Sequence, residues 1–315
     1  MTGIEPFARL TGPALRSVDL ITTRKFLVLL ATAAALFLTP GCLVRRVRHI
    51  PRSQVVAPPR VASLAELVTK LNALSQGVRT MTATVDLEPT TGSIYSGVIK
   101  EYHDVRGFIL IQSPAMIRVL GQAPVVRTDI FDMVSNGEEF HLYIPPVDKF
   151  FIGTTAFRRP AKNSLENLRP QHILEALLVP ALDPSKEKWL LEEAQESGRR
   201  FYVIVIVEAT DGGELRLKRK AWFDRADLQL ARMQFYEAQG LYVEDVRYSE
   251  YQDFQGVSYP SHIEIVRPIE DYRLAITILK ATFNQTIDAE KFVLTQPPGT
   301  QLINLDAKEE KPGDQ

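Results

Sequence analysis

Hydrophobic and polar positions alternate with two different periods along this chain, and the switch between them falls near residue 80. From Ser63 to Gln76 the apolar residues Leu64, Leu67, Val68, Leu71 and Leu74 recur at the spacing of one helix face. Ser63 and Glu66 stand three apart at its start, the pattern of a capping box, and Gly77 follows as a residue able to stop the helix in a left-handed conformation. Beyond it Met81, Ala83, Val85 and Leu87 alternate with Thr80, Thr82, Thr84 and Asp86, the period-two pattern of a half-buried strand.

Strand patterns then continue to about Asn284, separated by turn residues such as Ser113-Pro114, Asn136-Gly137, Asp211-Gly212-Gly213 and Gln255-Gly256. Tyr272, Leu274, Ile276 and Ile278 share one side of a late strand. The run Phe201–Val207 is apolar on both faces and must be covered on both. One stretch interrupts the strands. Between Ser164 and Leu182 lie Leu165, Leu168, Ile173, Leu174, Leu177 and Leu178, punctuated by Pro170, which predicts one or two short apolar helices. The fold class is therefore mainly β with helices, α+β. The sheet is antiparallel and curved, and the N-terminal helix and the mid-chain helical insertion plug its concave side.

Ahead of this domain the pattern changes again. A 13-residue apolar run, Phe26–Leu38, follows Arg24 and Lys25 and leads through Thr39, Pro40 and Gly41 to Cys42, the only cysteine. A basic start, a short apolar core and a small residue before the cut make an export signal. The run is too short to cross a hydrocarbon layer about 30 Å thick as a helix. Without a disulfide partner in the chain, Cys42 needs another role. The segment resembles a bacterial lipoprotein signal, which implies that Cys42 carries the lipid attachment and becomes the mature N-terminus. By the same resemblance, Leu43 after the cysteine implies release to the outer membrane.

Residues 1–41 are thus read as signal peptide and 42–61 as an acylated extended tether. The main domain spans 62–305, and 306–315 is read as a disordered charged tail. Arg45, Arg46, Arg48, Arg52 and Arg60 lie among the prolines of the tether. They suit either attraction to anionic headgroups or simple solvation. Losing the signal leaves a net charge near −3, so no whole-protein field attracts nucleic acid, and that partner is not expected.

Catalytic patterns are missing. There is no G-x-S-x-G, H-E-x-x-H, G-x-G-x-x-G or C-x-x-C, and Val98 stands where a P-loop spacing from Gly92 and Gly97 would need lysine. The histidines at 49, 103, 141, 172 and 262 have no ligand spacing. The chain is read as a non-enzyme with no cofactor and no metal.

The order helix, strands, helical insertion, strands is similar to that of the LolA/LolB superfamily of bacterial lipoprotein carriers and receptors. Local phrases agree: Ser113–Val119, the hairpin Met133–Pro146, Phe150–Thr154 and Phe292–Gly299. The resemblance implies an incomplete β-barrel closed by helices, with an apolar cavity for acyl chains of lipids or lipoproteins. It further implies anchorage at the periplasmic face of the outer membrane, possible exchange with a periplasmic carrier protein, and a membrane-contact loop at Met116 and Ile117. The lid of the cavity falls on Leu174, Leu177 and Leu178. Two functions stay open on the sequence: an acyl-chain or lipoprotein carrier, and a lipid-sensing or protein-interaction lipoprotein of the envelope. A lined cavity favours the first, a filled interior with an exposed apolar patch the second.

Overall fold

The computed structural model describes residues 58–92, 100–101, 105–123, 126–155, 170–210, 212–237 and 240–306. The segments read as signal peptide and as most of the tether, with Cys42, residues 164–169 of the predicted helical insertion, and the tail beyond Asp306 lie outside them.

Helix α1, Leu64–Gly77, begins where the spacing predicts. Glu66 N–H donates to Ser63 Oγ at 3.3 Å, and Ser63 N–H donates to the Glu66 carboxylate at 2.6 Å. Leu67 and Leu71 are fully buried in the core. The helix ends differently from the expectation. Gly77 is not left-handed; Val78 follows it in extended backbone. Asn284 supplies the stop instead, donating its side-chain amide to Gly77 O at 2.8 Å and accepting from Arg79 N–H at 2.8 Å. An orphan carbonyl of the last turn is thereby satisfied from 207 residues away.

Among the described residues, fifteen strands form one sheet. They are β1 Thr80–Thr91, β2 Lys100–Glu101, β3 Val105–Gln112, β4 Met116–Gln122, β5 Asp129–Ser135, β6 Glu139–Ile144, β7 Lys149–Thr154 and β8 Glu187–Glu196. Then come β9 Arg199–Ala209, β10 Leu215–Asp224, β11 Leu230–Tyr236, β12 Tyr242–Phe254, β13 Val257–Arg267, β14 Tyr272–Phe283 and β15 Gln301–Asn304. Two runs of hairpins, β3 to β7 and β8 to β14, meet on either side of β1, while β2 pairs β1 alone. All pairings are antiparallel except β15, which returns parallel to β7. The sheet is open, with β8 and β15 at its two ends.

Alternation is obeyed where it was clearest. Met81, Ala83, Val85 and Leu87 of β1 are buried, as are Tyr272, Leu274, Ile276 and Ile278 of β14. On β9, Tyr202, Ile204 and Ile206 enter the core. Among the described residues, neighbouring side chains cover the opposite face of β9. The Trp222 ring meets Phe201 edge-on at 5.6 Å, and the guanidiniums of Arg199 and Arg232 lie over Phe201 and Trp222. Inside the β3–β4 hairpin Gly107 sits opposite Gly121, where a Cβ would come within 2.3 Å of the Phe131 ring. Only glycine fits that contact.

One helix of the insertion is described, α2, Pro170–Leu177. Pro170 opens it, as the first turn permits. Ile173, Leu174, Ala176 and Leu177 are buried in the same core cluster as α1 and the strands.

Candidate functional site

A cavity of about 410 Å³ lies between α1, the end of α2 and strands β10 to β13. Leu74 comes from α1, and Leu177, Leu178 and Val179 from the end of α2. Phe223, Leu230, Val257 and three tyrosines, Tyr248, Tyr251 and Tyr259, come from the sheet. Its size falls in the range of about 300–1,000 Å³ usual for small-molecule sites.

The tyrosines decide the character of the lining. Tyr248 donates its hydroxyl to Ala176 O at 2.9 Å, Tyr259 to Leu177 O at 2.5 Å, and Tyr251 to Leu230 O at 2.8 Å. Each polar tip is thus occupied by a backbone carbonyl, and the rings remain as apolar wall. Burial raises all three hydroxyls above the ordinary tyrosine value and keeps them protonated donors. At the mouth Lys70 donates to Leu228 O at 3.3 Å. Below α2, Arg219 donates to Ala181 O at 2.7 Å, and Asn72 accepts from Leu182 N–H at 3.3 Å, so the segment leaving the helix is tied to both sheet and α1.

Charged groups are buried nearby. Arg219 pairs with Glu187 at 2.8 Å, and Arg267 pairs with Glu244 and Glu270. Burial pushes the Glu244 carboxyl up to about 7 against the pull of Arg267, and Glu175 and Glu270 add to the rise. Desolvation works against the Arg267 charge, but Glu244 and Glu270 outweigh it and hold the guanidinium charged.

Of the residues singled out from sequence, Leu177 and Leu178 line the cavity. Leu174 is buried in the core and is not part of the lining. Ile117, 0% exposed, points into the core and offers no surface in this conformation. Met116 is half-buried at the start of β4, opposite Gln112, beside the exposed turn at Ser113 and Pro114. Cys42 lies outside the described residues. The tyrosines were missed. Tyr248 and Tyr251 are three apart and so of opposite parity in a regular strand; left-handed Glu250, with φ of 55°, breaks the alternation between them. The one signal was the density of tyrosine in an otherwise polar stretch.

Among the described residues no group of His, Cys, Asp or Glu is arranged to hold a metal ion, and no helix is long and apolar enough to cross a membrane.

No protein-family model and no curated protein matches the chain. Solved structures do. Against a LolA superfamily protein from Nitrosomonas europaea the identity is 11%, over 74% of this chain and 99% of that one, with a TM-score of 0.47. A putative outer membrane lipoprotein-sorting protein domain from Vibrio parahaemolyticus is 12% identical over 72% and 94%, with a TM-score of 0.45. A DUF1329 family protein from Desulfovibrio piger is 11% identical over 72% and 94%, with a TM-score of 0.49.

Proposed function

We propose that this protein is a lipid-anchored envelope lipoprotein that holds acyl chains between its helices and its sheet, in the transfer of lipid or lipoprotein to the outer membrane or its reception there. One observation carries the reading: the tyrosine hydroxyls in the cavity wall are occupied by the carbonyls of Ala176, Leu177 and Leu230, which leaves the rings, with the leucines beside them, as apolar surface. An acyl chain has no polar group to satisfy and gains about 0.8 kcal/mol for each methylene removed from water. In this reading α1 and α2 are the cover of an incomplete barrel, Leu177 and Leu178 form the part of the cover that touches cargo, and Cys42 supplies the anchor. Met116 is the contact with the membrane, and a periplasmic carrier is the source of cargo.

The test uses the soluble fragment Val56–Gln315 and a fluorescent long-chain fatty acid. Saturable binding is expected, displaced by unlabelled lipid. Leu178→Glu, at a half-buried lining position, should weaken it about tenfold or more while the circular dichroism stays unchanged. Absence of saturable binding in the unaltered fragment would remove acyl-chain carriage from consideration.

A further inference from the structure

On the opposite side of the sheet from the cavity, solvent-facing positions of an antiparallel sheet should be polar. In the middle of β3 and β4 Phe108, Leu110 and Leu120 depart from this. Phe108 pairs with Leu120 across the hairpin, and Leu110 adjoins them; Phe108 is 39% exposed. These three floor a groove of about 510 Å³ that also takes in Thr82, Thr84 and Thr282. The C-terminal segment borders it, held there by Arg118, which donates to Lys291 O at 2.9 Å, and by the His141 ring, which meets Leu294 O at 2.9 Å.

Charge in the groove has one sign. Its lining contains Arg118, Lys280 and Lys291 and no carboxylate. Arg118 is neutralised by Asp132 at 2.7 Å, and Asp86 on the adjoining strand β1 is paired with Arg106 at 3.0 Å. Neither lysine has an ion pair among the described residues. Lys280 reaches this face by an irregularity. Continued alternation from Ile276 and Ile278 would turn it inward, but the register of β1 against β14 shifts between Thr84 and Val85. Leu279 and Lys280 are both exposed there, and Ala281 and Phe283 return to the core. Bulges commonly re-aim a side chain in this way.

We infer that this outer groove binds one glycerophospholipid with an anionic headgroup, its phosphate held by Lys280 and Lys291 with threonine hydroxyls beside them, and an acyl segment laid over Phe108, Leu110 and Leu120. Unpaired ammoniums next to an apolar strip match an anionic amphiphile. A zwitterionic headgroup would bring its own cation against them. The inference is independent of what occupies the cavity.

The full acylated chain, purified in non-ionic detergent, is mixed with equal amounts of phosphatidylglycerol and phosphatidylcholine of the same chain length, and retained lipid is counted by native mass spectrometry. Phosphatidylglycerol should be retained about tenfold over phosphatidylcholine. Lys280→Gln/Lys291→Gln, both exposed and so harmless to the fold, should bring that ratio to about one. Phe108→Ser should lower retention of both lipids in the groove. Leu178→Glu, which alters only the cavity, should leave the headgroup preference intact. Equal retention by the unaltered chain, or an undiminished preference in the lysine variant, overturns the inference. So does a preference that disappears with Leu178→Glu, since the anionic lipid would then sit in the cavity.

Discussion

Tyr259 donates its hydroxyl to the carbonyl of Leu177 at 2.5 Å, so a strand of the sheet holds the last residue of α2 in place. The last carbonyls of a helix have no partner within it, and this one is buried. Tyr259→Phe leaves it unsatisfied and should cost about 1–3 kcal/mol. Urea unfolding of the two proteins measures this. The variant should also load an acyl probe faster, because one of the two tyrosine bonds that tie the end of α2 to the sheet is then gone and that of Tyr248 to Ala176 O remains. Unchanged stability together with unchanged loading would mean that the bond does not restrain the helix.

The buried carboxyl of Glu244 makes stability depend on pH in a defined direction. An unfolded glutamate titrates near 4.5, whereas in the fold this one is pushed up to about 7 by burial. Between those values the folded chain binds the proton and the unfolded chain does not, so the contribution of Glu244 falls as pH rises through the window and levels off above it. Glu244→Gln removes that slope. Melting temperatures of both proteins at pH 5 and pH 7.5 should show a larger decline for the unaltered chain; parallel declines would place the titration elsewhere.

Met116 and Ile117 are neighbours with opposite fates. Ile117 is 0% exposed, and Ile117→Ala should cost about 2–5 kcal/mol through the cavity it leaves. Met116 is half-buried beside an exposed turn. Met116→Glu should keep stability within about 1 kcal/mol while lowering lipid delivery to vesicles. A melting transition lowered as far as that of Ile117→Ala would return Met116 to the core.

Cys42 is the sole cysteine and stands directly after the segment that resembles a lipoprotein signal. In Cys42→Ser cells the protein should leave the membrane fraction or accumulate as precursor, read by fractionation and N-terminal sequencing. Unchanged fractionation with the same N-terminus would remove its role as anchor.

What the sequence determined by itself is what local periodicity encodes. The capping box at Ser63 and Glu66, the inward sides of β1 and β14, and an apolar helix around Leu174 and Leu177 all follow from spacing. A residue's parity or helical phase fixes its face without reference to anything distant. The resemblance to a lipoprotein signal before Cys42 is likewise read within one short segment. Tertiary structure alone decided the rest. Asn284 stops a helix that ends at Gly77, and Tyr248 and Tyr259 bond to a helix more than 70 residues away. Left-handed Glu250 and the register shift in β14 reverse parity where Tyr251 and Lys280 stand. No local pattern carries those features, because each depends on which carbonyls and which strand edges the fold brings opposite one another. The cavity belongs with them: the leucines and tyrosines around it would fill an ordinary core equally well, and only their positions in space leave room between them.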